Sequence, residues 1–439
     1  MSIPTLRTLL RQKTVIFWKR SPYFFLNGEE IVAKNLFIAA TDKDVGKSTI
    51  SLAFLHRLHE MGKKTAFMKP VGQRWVASKW GPVDEDVVLM KEVFQLEADP
   101  VLMNPVVVEK GFTEEYLLRA VKPNLSDKII DSYKKLAKDN DYVVIEGTGH
   151  AGVGSVFDHS NAHVARLLDA KVVLVAKGGI GNTIDRLELN RIFFERFGVE
   201  VIGVVVNKVV EKKLEKVKRA LEIYCEKNRL ALFGAIPYSS VLNNPTLDTI
   251  IEDIKPQILQ EKAPRNSVID RYIVGAANIE EALNYIKKHK GNIMIIFPAD
   301  RMDVIFALPK MQQILREWNS KICALLLNGS RPPGEISMKV LEEEEMTVLW
   351  KEGDTFSVVS KLSGISVKTR SQDNSKIEAM QNFVFKNIDY KKVFSRLANA
   401  TVMESTLGKI KRFLRRAVIF VRFLLTHDIK KFFGRRNGV

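Results

Sequence analysis

A glycine, a lysine and a serine stand together at Gly46, Lys47 and Ser48, between an apolar run and a helix-like pattern. The apolar run ends at Ala40, and apolar residues recur at helical spacing from Ile50 onward. Backbone N–H groups at a helix N-terminus face an anion, a lysine there reaches the outer phosphates of a nucleotide, and a serine hydroxyl can bind Mg²⁺. This order therefore predicts a phosphate-binding loop, formed by Thr41, Asp42, Lys43, Asp44, Val45, Gly46, Lys47, Ser48 and Thr49.

Polar residues also follow later apolar runs of the chain. Lys69 and Glu146 each stand directly after such a run, and Asp84 and Asp86 begin a helical pattern. A lysine at the end of a parallel strand can face the same phosphates, and a carboxylate beside a bound nucleotide can bind its metal ion or water. Asn207 ends another run, where its amide can read the edge of a base. Each residue alone could equally be a solvated loop residue or a helix cap, but together they indicate one site.

The elements that must position these residues alternate between strand and helix from Leu36 to about Pro237. The strand candidates are near-continuous Val, Ile and Leu runs, which is typical of parallel strands that are buried on both faces. We therefore expect a doubly wound α/β domain with a parallel sheet at residues 35–245. Ligands of such domains bind off the carboxyl ends of the strands.

The stretch T-D-K-D-V-G-K-S resembles the phosphate loop of dethiobiotin synthetases and of the N-terminal region of long phosphotransacetylases. The stretches M-K-P-V-G-Q, V-V-I-E-G-T-G, V-V-V-N-K and G-A-I-P-Y follow in the order found in that family. The resemblance implies that ATP and Mg²⁺ are the cofactors, with Lys47, Lys69 and Glu146 as catalytic residues. Its further implications are that Ser48, Asp86 (or, less favoured, Asp84) and Glu146 bind Mg²⁺, that Lys69 faces the transferred phosphoryl group, and that Asn207 and Pro237 frame the adenine.

A second α/β domain is expected at residues 267–390, after a linker at 246–266. Its stretches I-I-F-P-A-D-R-M-D-V-I, L-L-L-N-G-S-R-P-P and E-G-D-T-F are similar to the DRTGG domain, which follows the nucleotide-binding region in long phosphotransacetylases. Ala299 stands where that family has glycine, and Asn328-Gly329-Ser330 replaces a Thr-Gly-Gly turn. Asp300, Arg301 and Asp303 are expected on a turn, where they form either a structural Asp–Arg pair or part of a ligand or interface site.

The net charge of +17 is concentrated at the two ends of the chain. Residues 401–439 carry +8 and residues 1–34 carry +4, so the 366 residues between them hold only +5. A basic groove for nucleic acid would place charge on the body instead, so nucleic acid is not expected as a partner. We expect a basic and apolar N-terminal arm at 1–34 and a basic amphipathic helix at 400–439. Such a helix favours an anionic membrane surface, although docking on its own domain or a partner is the alternative.

Composition limits the cellular setting. Two cysteines in 439 residues exclude a disulfide scaffold, and no uninterrupted apolar run reaches the length of a membrane span. We therefore expect a cytoplasmic protein, with peripheral contact at the inner face of the membrane through the C-terminal helix.

Three functions remain open. The first is an ATP-binding regulatory or sensor protein that resembles the non-catalytic N-terminal region of phosphotransacetylase. Because those enzymes continue into a catalytic domain for which no counterpart is found here, acyl transfer is not expected. The second is an ATP-dependent ligase of the dethiobiotin synthetase type, which activates a carboxylate or carbamate. The third is a membrane-cycling ATPase, although Asp42 stands where such proteins carry a second lysine. The family resemblance also implies a homodimer, with Gly178–Thr183 near the contact.

Overall fold

The computed structural model describes residues 25–26, 29–30, 33–275, 279–287, 291–365 and 374–402. The predicted N-terminal arm (1–34) and basic C-terminal helix (400–439) therefore lie almost entirely outside the described residues. Within the described part of the chain, no helix is long and apolar enough to cross a membrane.

The first large sheet has six parallel strands, which form the centre of the first domain. They are β3 (Lys34–Ala40), β4 (Thr65–Met68), β9 (Tyr142–Glu146), β10 (Lys171–Lys177), β11 (Val201–Val209) and β12 (Leu232–Pro237). Their apolar residues are almost completely buried, as expected for strands with helices on both faces. The prediction of a doubly wound parallel α/β domain is confirmed.

Strand β3 lies at the point where the strand order along the chain changes direction. The strand order is β12-β11-β10-β3-β9-β4, so later strands add on both sides of β3. In the register, Phe37 of β3 lies opposite Ile145 of β9 on one side and Val172 of β10 on the other. In open α/β sheets, a crevice for ligands forms at the carboxyl end of the strands at this point.

Helices and short strand pairs complete the first domain. Its helices are α1 (Lys47–Glu60), α2 (Glu85–Phe94), α3 (Pro100–Met103), α4 (Phe112–Leu118), α5 (Leu125–Ala137), α6 (Asn161–Leu167), α7 (Gly181–Arg196), α8 (Leu214–Lys227) and α9 (Ser240–Asn243). The short strands of this domain are β5 (Val71–Gly72), paired with β8 (Val106–Val107), and β6 (Trp75–Ser78), paired with β7 (Gly81–Asp84). Earlier in the chain, β1 (Phe25–Leu26) pairs with β2 (Glu29–Glu30).

The second domain contains a five-stranded sheet. Its strands are β13 (Gln257–Gln260), β14 (Arg271–Val274), β15 (Gly291–Pro298), β16 (Ser320–Gly329) and β17 (Thr347–Glu352). They lie in the order β13-β17-β16-β15-β14, and only β13 is antiparallel to its neighbour. The accompanying helices are α10 (Leu247–Ile254), α11 (Ile279–Lys287), α12 (Met302–Glu317), α13 (Glu335–Glu342) and α14 (Thr355–Ser363).

Alternation along β15 divides the second domain into two apolar layers. Ile293, Ile295 and Phe297 pack on one face with residues of α12 and α13, whereas Met294 and Ile296 pack on the other with α10 and α14. The second sheet therefore has helices on both faces, like the first. The segment predicted as a linker, 246–266, contributes α10 and β13 to this domain, because its apolar residues pack into the second layer.

The last described segment returns to the first domain. It comprises α15 (Asn374–Phe383), a 3₁₀ turn (Phe385–Asn387) and α16 (Tyr390–Val402), and we call residues 374–402 the returning segment. Its apolar side chains belong to the core of the first domain; they are Met380, Val384, Ile388, Tyr390, Val393 and Leu397. The amide of Asp389 donates to the carbonyl oxygen of Phe233 in β12 at 2.7 Å. The sequence predicted that the second domain extends to residue 390, whereas Met380, Val384, Ile388 and Tyr390 pack in the core of the first domain.

Candidate nucleotide site

The loop between β3 and α1 requires a glycine at its end. Gly46 has a φ of +99°, and a Cβ at this position would lie 2.3 Å from Nδ2 of Asn207. Helix α1 begins at Lys47, with no side-chain cap and no acidic residue in its first turn. Its first amide groups therefore point towards a position where an anion is favoured.

Other residues of the predicted loop fix its shape. The amide of Thr41 donates to Val175 of β10 at 3.0 Å, and Asp42 forms an ion pair with Arg186 of α7. Val45 is buried, and its carbonyl oxygen accepts a hydrogen bond. Thr41, Asp42 and Val45 do not line the cavity beside the loop, whereas the other loop residues do.

Asn207 and Lys208, at the end of β11, hold this loop from the side. Nδ2 of Asn207 donates to the carbonyl oxygen of Val45 at 2.9 Å, and its Oδ1 accepts from the amide of Lys208 at 2.8 Å. Nζ of Lys208 donates to the carbonyl oxygen of Asp44 at 2.8 Å. In this arrangement both ends of the Asn207 amide are bonded to backbone, so the residue supports the loop.

Lys69 lies at the centre of a buried cluster of carboxylates. Its Nζ is 2.5 Å from Oδ2 of Asp86, 2.8 Å from Oε1 of Glu146 and 3.9 Å from Oδ1 of Asp84. The hydroxyl of Ser48 lies within donating distance of two of these carboxylates, 2.8 Å from Asp86 and 3.1 Å from Glu146. The structure thus brings four of the predicted residues, from β9, α1, α2 and the end of β4, into direct contact.

Burial and charge act against each other in this cluster. Burial alone would lower the pKa of Lys69, but Asp86, Glu146 and Asp84 outweigh it and raise that pKa well above the usual lysine range. Burial raises the pKa of Glu146, and the charge of Asp86 adds to this, although Lys69 opposes both. The raised pKa of Lys69 favours its charged form at neutral pH, between the two buried carboxyl groups of Asp86 and Glu146.

The two neighbouring aspartates have different roles. Oδ2 of Asp84 accepts from the amides of Gln73 and Arg74, and its Oδ1 accepts from the amide of Asp86 at the start of α2. Asp84 thus orders a loop and caps a helix, whereas Asp86 contacts Ser48. Of the two alternatives, the geometry favours Asp86 as the metal ligand.

The oxygen atoms around Ser48 fit a magnesium ion. Oε2 of Glu146 is buried and has no hydrogen-bond partner among the described residues. Carboxylate and hydroxyl oxygens are hard ligands, and Mg²⁺ in nucleotide sites binds one or two carboxylates together with phosphate oxygens. Ser48, Asp86 and Glu146 would hold the ion, which would neutralise charge on the phosphates. Among the described residues, no three His, Cys, Asp or Glu side chains form a metal site by themselves.

A cavity of about 350 Å³ joins the loop and the cluster. The predicted residues that line it are Lys43, Asp44, Gly46, Lys47, Ser48, Thr49, Lys69, Asp84, Asp86, Glu146, Asn207 and Pro237. Further lining residues, which sequence reasoning did not single out as ligands, are Leu52, Gln73, Arg74, Leu89, Thr148, Gly149, Lys208, Leu242, Asn243, Ile365 and Met380. Gln73 and Arg74 directly follow the stretch M-K-P-V-G, so their place in the sequence could have indicated them. Ile365 and Met380 carry no such signal.

Two family models match successive parts of the chain. Residues 34–246 match the AAA domain family, and residues 249–365 match the DRTGG domain family. Phosphate acetyltransferase of Nitratidesulfovibrio vulgaris is 26% identical over 379 residues, which cover 84% of this chain and 52% of that protein. ATP-dependent dethiobiotin synthetase BioD of Anoxybacillus flavithermus is 28% identical over 219 residues, which cover 47% of this chain and 92% of that protein. Among solved structures, the MinD cell division protein of Aquifex aeolicus aligns at a TM-score of 0.32 and 17% identity, covering 48% of this chain and 84% of that one.

The fold and the loop define a P-loop NTPase domain. More particularly, the chain combines an AAA domain with a DRTGG domain, and it is homologous to the N-terminal region of phosphate acetyltransferases and to dethiobiotin synthetase. The resemblance expected from the sequence is thereby confirmed. The chain spans about half the length of the phosphate acetyltransferases that it matches.

Proposed function

We propose that the protein binds Mg-ATP in this cavity and acts as a regulatory or sensor protein. The observation that carries the proposal is the contact of Ser48, Lys69, Asp86 and Glu146 beside a loop that ends in Gly46. Lys47 would contact the outer phosphates, and Lys69 would face the terminal phosphoryl group. The carboxylates and the Ser48 hydroxyl would hold the magnesium ion.

The regulatory part of the proposal rests on the arrangement of domains. In this chain a DRTGG domain follows the AAA domain, and the alignment with the Nitratidesulfovibrio vulgaris phosphate acetyltransferase covers 84% of the chain, so it includes residues of both. Nucleotide binding in the first domain can shift the equilibrium between arrangements of the two domains if the nucleotide has a different affinity for each arrangement. Hydrolysis is not required for this role.

Equilibrium binding of ATP, ADP and GTP, measured with and without Mg²⁺, tests this proposal. We expect saturable binding of ATP at one site per chain, and tighter binding with Mg²⁺ than without it. Absence of saturable binding for all three nucleotides would contradict the proposal.

A second candidate is an ATP-dependent ligase of the dethiobiotin synthetase type. The lining of the cavity also includes Gln73 and Arg74, whose amide and guanidinium groups are donors suited to a carboxylate or carbamate. Release of phosphate from ATP distinguishes the two functions, when it is compared with and without a diamine plus bicarbonate. Stimulation by these compounds would favour the ligase, and unchanged slow release would favour the regulatory role.

We further propose a homodimer that involves α7. The Gly178–Thr183 stretch leads into this helix, and its side chains Leu189 and Ile192 are 72% and 52% exposed. Residues three apart lie on one helix face, so these two form an apolar patch. An apolar patch of this kind is typical of a protein contact surface.

We also propose that the tail binds anionic membrane surfaces. Residues 401–439 carry ten Lys or Arg against two acidic residues, with apolar residues at helical spacing. Cations at the edges of an apolar helix face suit an anionic leaflet. This proposal rests on the sequence, because the tail lies outside the described residues.

A further inference from the structure

The nucleotide cavity has an apolar part that comes from outside the loop and the carboxylate cluster. Leu242 is on α9, Ile365 follows α14 of the second domain, and Met380 is on α15 of the returning segment. Leu242 and Ile365 are partly buried, and Met380 is 2% exposed. All three line the same cavity as Lys47 and Ser48.

The strand order indicates which part of a nucleotide would reach these residues. Glu146 and Lys69, at the ends of β9 and β4, lie on one side of β3. Asn207 and Pro237, on β11 and β12, lie on the other side, and Leu242 follows Pro237 by five residues. Strands lie about 4.8 Å apart, so β12 is about 14 Å from β3, a distance on the scale of a nucleotide. With its phosphates at the loop and its outer phosphate at Lys69, a nucleotide would direct its base towards Leu242.

We propose that Leu242, Ile365 and Met380 form the binding surface for the nucleobase, so that the second domain and the returning segment complete the nucleotide site. The inference rests on the proposed binding of Mg-ATP. A planar base has apolar faces, and small-molecule sites are lined mainly by apolar side chains. The Met380 thioether is polarisable and suits contact with an aromatic ring.

The returning segment packs firmly against the first domain, so Met380 has a fixed position beside the cavity. Val384, Ile388 and Val393 are buried in the first core, and the ring of Phe385 lies 4.4 Å from that of His56 in α1. Helix α1 also begins with Lys47, so the helix that would contact the phosphates also contacts the returning segment. Nucleotide binding would therefore stabilise the position of residues 374–402 against the first domain.

Substitution of Leu242, Ile365 or Met380, which we call the wall residues, tests the proposal in the full chain. We expect Met380→Ala, Leu242→Ala and Ile365→Ala each to weaken Mg-ATP binding by about tenfold, because each removes apolar contact with the base. Phe383→Ala is the matched control, since Phe383 is an exposed apolar residue of the same helix as Met380 and does not line the cavity. Its affinity for Mg-ATP should stay within twofold of the wild type.

Competition by inorganic tripolyphosphate separates the base from the phosphates. The wall variants should retain the inhibition constant that tripolyphosphate shows with the wild-type protein. Equal weakening of ATP and tripolyphosphate binding, or equal effects of the Leu242, Ile365 and Met380 variants and of Phe383→Ala, would overturn the proposal. If Met380→Ala does not fold, Leu242→Ala and Ile365→Ala decide, because both positions are only partly buried. An unchanged ATP affinity in those variants would overturn this inference alone, whereas no ATP binding by the wild type would overturn the proposed function.

Discussion

Replacement of Lys69 by methionine is the sharpest structural perturbation of the carboxylate cluster. Met keeps most of the side-chain stem but removes the cation that lies 2.5 Å from Asp86 and 2.8 Å from Glu146. Removing one partner of a buried ionic network costs about 3–5 kcal/mol, because the remaining charges stay buried without compensation. We expect the free energy of unfolding of Lys69→Met to fall by about this amount at neutral pH in the absence of Mg²⁺.

The pH dependence of this loss follows from Glu146. Burial and Asp86 raise its folded-state pKa above the value in the unfolded chain, and Lys69 opposes them. Removal of Lys69 should raise this pKa further. A carboxyl whose folded-state pKa is raised loses stability as the pH rises through the interval between the two values. The destabilisation of Lys69→Met should therefore be smaller at pH 5 than at pH 8.

Urea unfolding at both pH values, with and without Mg²⁺, measures these effects. The control is Lys171→Met, because Lys171 pairs with Glu200 at 2.9 Å on the surface, where a pair contributes about 0–1 kcal/mol. Mg²⁺ should restore part of the stability of Lys69→Met, since it binds the same oxygens. A loss at pH 8 no larger than that of the control would refute the reasoning.

Three further predictions concern the loop, the helix α7 and the tail. Gly46→Ala should weaken ATP binding by at least tenfold, measured by titration calorimetry, because φ is +99° and the new methyl group would meet Asn207; unchanged affinity would contradict this. Leu189→Arg combined with Ile192→Arg should convert the dimer to a monomer in light scattering, whereas a wild-type mass that is already monomeric would exclude the dimer. A chain ending at Ser405 should lose co-sedimentation with anionic vesicles, while its co-sedimentation with neutral vesicles should equal that of the full chain. Equal binding of the truncated and the full chain to anionic vesicles would show that the tail is not the anchor.

Much of the first domain could be predicted from the sequence. Parallel strands buried on both faces leave long apolar runs, and their carboxyl ends meet at one edge of the sheet. Lys69 and Glu146 could therefore be placed near the loop before their contacts were known. The structure confirms that they lie together, at 2.8 Å.

Other features depend on contacts that the chain order does not reveal. Asp84 and Asp86 are two residues apart in the same pattern, and only their hydrogen bonds separate the loop-ordering role from the contact with Ser48. Asn207 was expected to read a base, and its additional role in supporting the loop is visible only in its hydrogen bonds to the backbone of Val45 and Lys208. The returning segment has the apolar spacing of any amphipathic helix, which does not identify the domain against which it packs.

The binding of Mg-ATP to Lys47→Ala tests the central claim most directly. Lys47 begins α1 and lines the cavity, so its loss would remove a charge from the outer phosphates. Lys63→Ala is the control, because Lys63 is an exposed lysine beyond the end of the same helix. We predict that titration calorimetry detects Mg-ATP binding to the wild type and to Lys63→Ala but not to a folded Lys47→Ala. An unchanged ATP affinity in folded Lys47→Ala would contradict the account.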